Sequence, residues 1–343
     1  MRVLFCGWFS TAYHLINLIK QGAKEDGLNI EVIGTHHTSF MVYQQVCDEF
    51  YVTPAKVEED AYVDWCLELC KKQHIDVVFP KRHLMFFAKR KAEFENLGIK
   101  VLVEDDYNLL ALLEDKVKTA KFLNGHTEIC EVAPIRVVNN VEEFKAAYQE
   151  LKEITNGDTL CFKYAIGEGG TSYRKISDKP FTIKCLDFPQ WLTVTYDQAL
   201  EILGSVEQFK DLLVMPYLDG TEISIDCLNT KAGFIAIARY KIDGRLKKVS
   251  LEEDLIQRAK AFAELTRLKH PFNLQFRYHH GVLHLLEVNT RMSGGCYISC
   301  LSGANIPYLA LRNLLDLPIK LPNKLKEIES VHIETPVIVS QGG

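Results

Sequence analysis

Apolar and polar positions alternate along this chain with two different periods. Over roughly the first hundred residues, short apolar strands (Val3 to Cys6, Ile30 to Gly34, Asp76 to Pro80) are separated by stretches with helical spacing, Tyr13 to Gln21 and Val63 to Lys72. This alternation predicts parallel strands covered by helices, with ligands gathering at the carboxyl ends of the strands, here the turns after Cys6, Gly34 and Pro80. A helix is expected around Leu109 to Leu123, a strand near Ile135 to Val138 and a helix over Val141 to Ile154. The strand Thr159 to Tyr164 then runs through a Gly-rich loop into the strand Tyr173 to Ile176. Beyond Leu212 a two-residue period dominates. It predicts antiparallel hairpins from the strands Glu222 to Leu228, Phe234 to Lys241, Asn273 to Tyr278 and Val282 to Asn289, with a helix over Leu251 to Leu268. The last twenty residues read as a mostly extended tail. The fold class expected is α/β, with α+β lobes.

Length and composition narrow the functional classes. A chain of 343 residues is too long for one ordinary core, so two or three lobes are expected. Apolar residues at 47% and charged residues at 25% exclude a disordered or fibrous chain. A formal charge of −5 offers no basic excess for a nucleic-acid backbone, which points to small-molecule chemistry. Ten cysteines are scattered, and the pairs Cys66/Cys70 and Cys296/Cys300 have helical rather than zinc-knuckle spacing, as reduced thiols of a cytoplasmic protein do. No apolar stretch approaches the roughly 20 residues that cross a bilayer, and Met1 to Gly7 reads as a strand and turn rather than a secretory leader.

Three segments carry candidate chemistry. In Cys161 to Ser172, the glycines Gly167, Gly169 and Gly170 with Thr171 and Ser172 make a flap whose backbone N–H groups can approach phosphate oxygens, and Lys163 ends the strand before it as a point charge. The run Leu213 to Leu218 suits a hinge, where backbone groups pair with an adenine edge and apolar side chains sandwich the ring. Beyond it Glu222, Ser224 and Asp226 alternate onto one strand face. In Phe272 to Arg291, a three-residue turn at His279 to Gly281 would set Gln275 opposite Leu285. That register would bring Asn273, Gln275, Glu287, Asn289 and Arg291 to one face, a set of hard oxygens suited to Mg²⁺ beside a guanidinium. The His279/His280/His284 group reads as a polar turn with one strand histidine. Neither G-x-G-x-x-G, nor a Walker A loop, nor a G-x-S-x-G elbow occurs.

In this order the segments resemble the ATP-grasp superfamily, most closely its carbamoyl-phosphate-synthetase-like and carboxylate–amine ligase branch. The resemblance runs from Ile75–Pro80 and Glu114-Asp115-Lys116 through the flap and Asp219–Asp226 to Asn273-Leu-Gln275-Phe and Glu287-Val-Asn289-Thr-Arg291. It implies a Rossmann-like preATP-grasp domain over 1–105, an N-terminal ATP-grasp lobe with the flap over 106–214, a C-terminal lobe with the metal site over 215–320, and a tail over 321–343. It further implies ATP with one or two Mg²⁺ ions, Mn²⁺ being accepted in their place. Lys116 and Lys163 would contact the phosphates under the flap, Met215, Pro216, Tyr217 and Leu218 would hold adenine, and Glu222 the ribose. Gln275, Glu287 and Asn289 would bind the metal, Arg291 would face the transferred phosphoryl group, and Arg239 with Lys241 would add phosphate contacts.

The activity implied is C–N ligation of a small carboxylic or amino acid to an amine through an acyl phosphate, by an enzyme that forms homodimers and acts on neither nucleic acid nor membrane. Activation of bicarbonate, and ATP binding without turnover in a regulatory protein, are the competing readings. The run Lys81-Arg82-His83 replaces the acidic segment many relatives carry, and reads either as a surface turn or as a site for an anionic substrate.

Overall fold

Strands made of continuous apolar residues bury both faces, and the computed structural model, which describes residues 1–54, 57–167, 170, 172–179, 181–186, 192–334 and 336–338, begins with such a sheet. Its strands are β1 (Arg2–Cys6), β2 (Glu31–His36), β3 (Glu49–Val52), β4 (Val77–Pro80) and β5 (Lys100–Val101), all parallel, in the order β3-β2-β1-β4-β5. Side chains of β1 divide by parity. Val3 and Phe5 join the helix Ala12–Glu25 in one apolar cluster, while Leu4 and Cys6 join the helix Glu59–Lys72 in another. The short strands β3 and β5 carry no clear apolar period and were not legible in sequence.

A second sheet holds β6 (Arg136–Val138), β7 (Leu160–Tyr164), β8 (Arg174–Ser177), β9 (Thr193–Thr195) and β10 (Leu212–Pro216), in the order β6-β10-β7-β8-β9. The helix Val141–Ile154, capped by the Asn140 side chain on the Glu143 N–H, buries Phe144 and Leu151 against it. Where one helix was expected over Leu109 to Leu123 there are two, Tyr107–Glu114 and Lys116–Leu123. Asp115 divides them: it leaves helical geometry and its carboxylate accepts from the N–H groups of Val117 and Lys118, an N-cap within an otherwise helical run.

The third sheet contains β11 (Glu222–Thr230), β12 (Gly233–Asp243), β13 (Leu246–Ser250), β14 (Phe272–His279), β15 (Val282–Asn289) and β16 (Ile328–Val331), in the order β15-β14-β11-β12-β13-β16. Part of the expected tail is therefore an edge strand, β16, paired antiparallel with β13. The turn between β14 and β15 is one residue shorter than expected: only His280 (φ 50) and Gly281 (φ 79) connect the strands, both left-handed as a type I′ turn requires. His tolerates this geometry better than most residues, and Gly adopts it freely.

Chain order and compactness divide the molecule differently. One unit comprises Met1–Ala111, Glu222–Gln275 and Val288–Gly343, the other Leu112–Thr221 with Phe276–Glu287. Within the first unit a single apolar core runs from β1 and the helix Ala12–Glu25 to Leu228 and Ile235 and to the helix Ile306–Leu314. The Tyr308 ring lies so close to Gly22 that a Cβ there would sit 2.4 Å from Tyr308 Cδ1, and the Tyr308 hydroxyl donates to Asp26 at 2.6 Å.

Candidate active site

In the second unit the alternation of β7 sends Leu160 and Phe162 into the helix-covered core and turns Cys161 and Lys163 to the other face, where Cys161 packs with Leu213 and Met215. The Lys163 ammonium donates to the Leu286 carbonyl at 3.4 Å. Lys116, the first residue of the helix that Asp115 caps, donates to the Gly167 carbonyl at 2.9 Å and lies 3.9 Å from the Glu287 carboxylate. Burial first, then the charge of Lys116, pushes Lys163 below the ordinary lysine range, and Glu287 works in the opposite direction. Two ammonium groups around one carboxylate leave a positive excess suited to a polyanion.

Beside them Met215 and Leu218 are buried with Ala133, and Val117, Ile135 and Leu286 complete an apolar wall. Pro216 pairs with Leu160 in the β10–β7 ladder, and the Tyr217 N–H donates to Thr159. Tyr217 is flanked by two cations that the sequence did not single out: Lys175 Nζ is 4.0 Å and Arg277 Cζ 5.8 Å from its ring centroid. Their signal lay in the pairing, since Lys175 stands opposite Cys161, two residues from Lys163. Of the flap, Gly167 and Gly170 (φ 65) are placed, and Ser172 Oγ accepts from the Tyr164 N–H at 2.9 Å. Gly169 and Thr171 lie outside the described residues.

The first unit holds the remaining candidates. Asp226, buried on β11, accepts from Asn273 Nδ2 (2.9 Å), Ser293 Oγ (2.7 Å) and Ser299 Oγ (2.6 Å), with an Arg239 nitrogen at 3.5 Å. Asn273 is fully buried and donates also to Ser224 Oγ and the Ile225 carbonyl, so it braces the sheet rather than joining an open oxygen-bearing face. Gln275 Nε2 lies 3.4 Å from Asn273 Oδ1. Asn289 Oδ1 accepts from Arg291 at 2.5 Å, and Arg291 Nε donates to the Lys81 carbonyl at 3.2 Å. Glu222 stands opposite Lys241 with 3.8 Å between their charged groups. Lys247, opposite Lys241 on the neighbouring strand, is a further buried cation that sequence reading passed over; burial, then Lys241 and Arg239, lower its pKa.

Two expectations change here. Lys81 is no surface residue: it is 2% exposed, donates to the Met292 carbonyl at 3.3 Å, and its ammonium lies 5.5 Å from the Trp8 ring centroid. The shorter turn also removes the register from which Gln275, Glu287 and Asn289 were placed on one face. Glu287 and Asn289 still alternate on β15 and so share a side of that strand, whereas a place for Gln275 beside them rests on the resemblance alone.

Residues 208–336 match the family model described as ATP-grasp in the biosynthetic pathway with Ter operon, and residues 4–102 match the PylC-like N-terminal domain. The ATP-grasp match is carried by residues 208–336. Solved structures share this fold. An N5-carboxyaminoimidazole ribonucleotide synthetase in complex with ADP is 15% identical with a TM-score of 0.67, over 96% of this chain and 80% of that one. The Staphylococcus aureus N5-carboxyaminoimidazole synthetase complexed with ADP is 12% identical with a TM-score of 0.68, over 97% and 82%. The biotin carboxylase domain of Hydrogenobacter thermophilus 2-oxoglutarate carboxylase, bound to MgADP, ADP and bicarbonate, is 17% identical with a TM-score of 0.64, over 93% and 70%. A search of curated proteins finds no match. No helix among the described residues is long and apolar enough to cross a membrane.

Proposed function

We propose that this chain is an ATP-dependent carboxylate–amine ligase of the ATP-grasp type. The observation that carries the reading is the convergence of the Lys116 and Lys163 ammonium groups around the Glu287 carboxylate, beside the glycine loop and an apolar wall. Lys116 and Lys163 bind the triphosphate of ATP, Met215 to Leu218 and the wall around them receive adenine, and Glu222 accepts from the ribose.

A substrate carboxylate oxygen attacks the γ-phosphorus; the new O–P bond forms as the bond to the β-phosphate oxygen breaks, releasing ADP. An amine nitrogen then attacks the acyl carbon. The C–N bond forms, inorganic phosphate leaves, and the ammonium proton passes to solvent or to the departing phosphate. Lys163 and Arg291 offset the charge that grows on the transferring group. The flap, with Gly167, Gly169, Gly170, Thr171 and Ser172, excludes water from the acyl phosphate. Glu287 and Asn289 offer hard oxygens from one side of β15, a donor set that fits Mg²⁺, with Gln275 assisting and Mn²⁺ as a substitute; when bound, the ion neutralises phosphate oxygens. Arg239 and Lys241 supply further cationic contacts. The ten cysteines, all free, suit a reducing cytoplasm.

Amino acids, small peptides and other acid–amine pairs, screened for ADP release with mass spectrometry of the products, identify the reaction. With an active pair, Lys163→Gln is expected to lower kcat/KM about 10²- to 10³-fold at an unchanged melting temperature. Near-normal, substrate-dependent ADP release by that variant would remove the basis of the reading. Bicarbonate-dependent ADP release without any amine would reassign the chain to carboxylation.

A further inference from the structure

Parallel sheets gather ligands at the carboxyl ends of their strands, and in the first unit that edge holds a cavity of about 150 Å³ which the ligase chemistry above does not use. The described residues that line it come from the carboxyl ends of these strands, the turns after them and the helix Glu59–Lys72. Its polar lining among the described residues consists of His36, His37, Thr53, Tyr62, Arg82 and His83, with no carboxylate. We infer that this cavity is a subsite for an oxyanion, the carboxylate or phosphate group of one of the two substrates; the inference rests on the ligase reading for the word substrate and on the cavity alone for the word oxyanion.

The donors are already arranged. Arg82 lines the cavity with its guanidinium carbon 5.3 Å from the Phe9 ring centroid, and its fork is able to take an oxyanion in a bidentate way. His36 is 7% exposed, and its Nδ1 accepts from the Thr38 N–H at 3.1 Å. A ring whose Nδ1 accepts carries its proton on Nε2, so His36 is a hydrogen-bond donor through that atom while neutral. It stays neutral, since burial first, then His37 and Arg82, push its pKa down to about 4. The Tyr62 hydroxyl, on a residue 8% exposed, lines the same cavity 3.5 Å from where a Cβ on Gly7 would be, with Thr35 and Cys66 as its side-chain neighbours.

The same features exclude two other occupants. A divalent cation would meet the Arg82 charge with no carboxylate among the described lining residues to offset it. An apolar ligand would leave the His36 Nε2 donor without a partner, a penalty of about 1–3 kcal/mol for a buried polar group. The run Lys81-Arg82-His83 accordingly has divided duties: Lys81 braces the core, whereas Arg82 and His83 face the cavity.

The test uses the full chain. Inorganic phosphate and succinate, each at constant ionic strength against sodium chloride, are titrated by calorimetry into the wild-type protein and into Arg82→Gln, an exposed position whose change leaves the core intact. Saturable binding of either probe, weakened at least tenfold in Arg82→Gln, is expected. The probe that binds names the head group as phosphate or carboxylate. Absence of saturable binding for both, or equal affinity in the variant, overturns the inference. Once an active acid–amine pair is known, Arg82→Gln should raise KM for one of those substrates about tenfold and leave KM for ATP unchanged, and unchanged KM values for both substrates would also overturn it. Failure of the ligase reading looks different: Lys163→Gln would keep its ADP release while the Arg82-dependent anion titration persisted.

Discussion

A carboxylate as buried as Asp226 is tolerated only because donors surround it. Asn273, Ser293 and Ser299 each give it a hydrogen bond and Arg239 supplies the opposite charge, so the group is a brace beneath the strands that carry the candidate site. Asp226→Ala would strand the Arg239 guanidinium and three donors at once. Urea unfolding of that variant is expected to show a loss of about 3–5 kcal/mol, the magnitude seen when one partner of a buried pair is removed. A change within about 0.5 kcal/mol, the range of ordinary surface substitutions, would show that water replaces the carboxylate. Arg239, a candidate phosphate contact by resemblance, is held by this network, and Gly295 is the neighbour that makes room: a Cβ there would sit 2.6 Å from the Arg239 guanidinium. Spacing in the sequence shows which residues alternate on a strand. It does not show which of two alternating polar residues meets solvent, because that depends on the strand packed beside it.

At the scale of elements, the hairpin β14–β15 is fastened at its turn. His279 donates through Nδ1 to Asp219 at 3.0 Å and through Nε2 to Asp158 at 2.9 Å, and His280 meets the other Asp158 oxygen at 3.1 Å. Burial alone would lower the His279 pKa, but the hydrogen bonds to Asp219 and Asp158 outweigh it and hold the value above the ordinary one; Asp158 and Asp219 are lowered in turn. A raised histidine contributes stability that is complete below its unfolded value of about 6.5 and is lost as pH rises through the folded value. The lowered carboxylates contribute above the ordinary carboxylate range and lose that contribution as pH falls. The clasp is therefore strongest between the two limits. Melting temperature is expected to fall between pH 6 and pH 9 in the wild type and to fall less in His279→Gln; equal slopes would show that the clasp does not titrate in this range. Much at this scale was legible. The helix Val141–Ile154 and the strand Val282–Asn289 are where periodicity puts them. The two-residue turn and the helix break at Asp115 were not, since each depends on one residue choosing a backbone geometry that its neighbours do not announce.

For the whole molecule, ATP binding should couple to stability. A ligand that binds only the folded state adds about 2.7 kcal/mol at one hundred times its dissociation constant, so ATP with Mg²⁺ is expected to raise the melting temperature by several degrees. ATP with excess chelator should raise it less, and substrate-dependent ADP release should stop under chelation and return with added Mg²⁺. ADP release that persists under chelation would exclude the proposed role of Glu287 and Asn289.

The sequence by itself determined the longer strands and helices, the ATP-grasp resemblance, and the spacing of Lys116, Lys163, Glu287, Asn289 and Arg291, because periodicity and motif spacing are properties of neighbouring residues. Tertiary structure decided the rest. It joined the first hundred residues to the helix Ile306–Leu314 in one core, buried Lys81, enclosed Asp226, and ringed a cavity with His36, Tyr62 and Arg82. Those outcomes depend on contacts between residues far apart in the chain, whose desolvation and pairing are fixed only when the chain closes on itself.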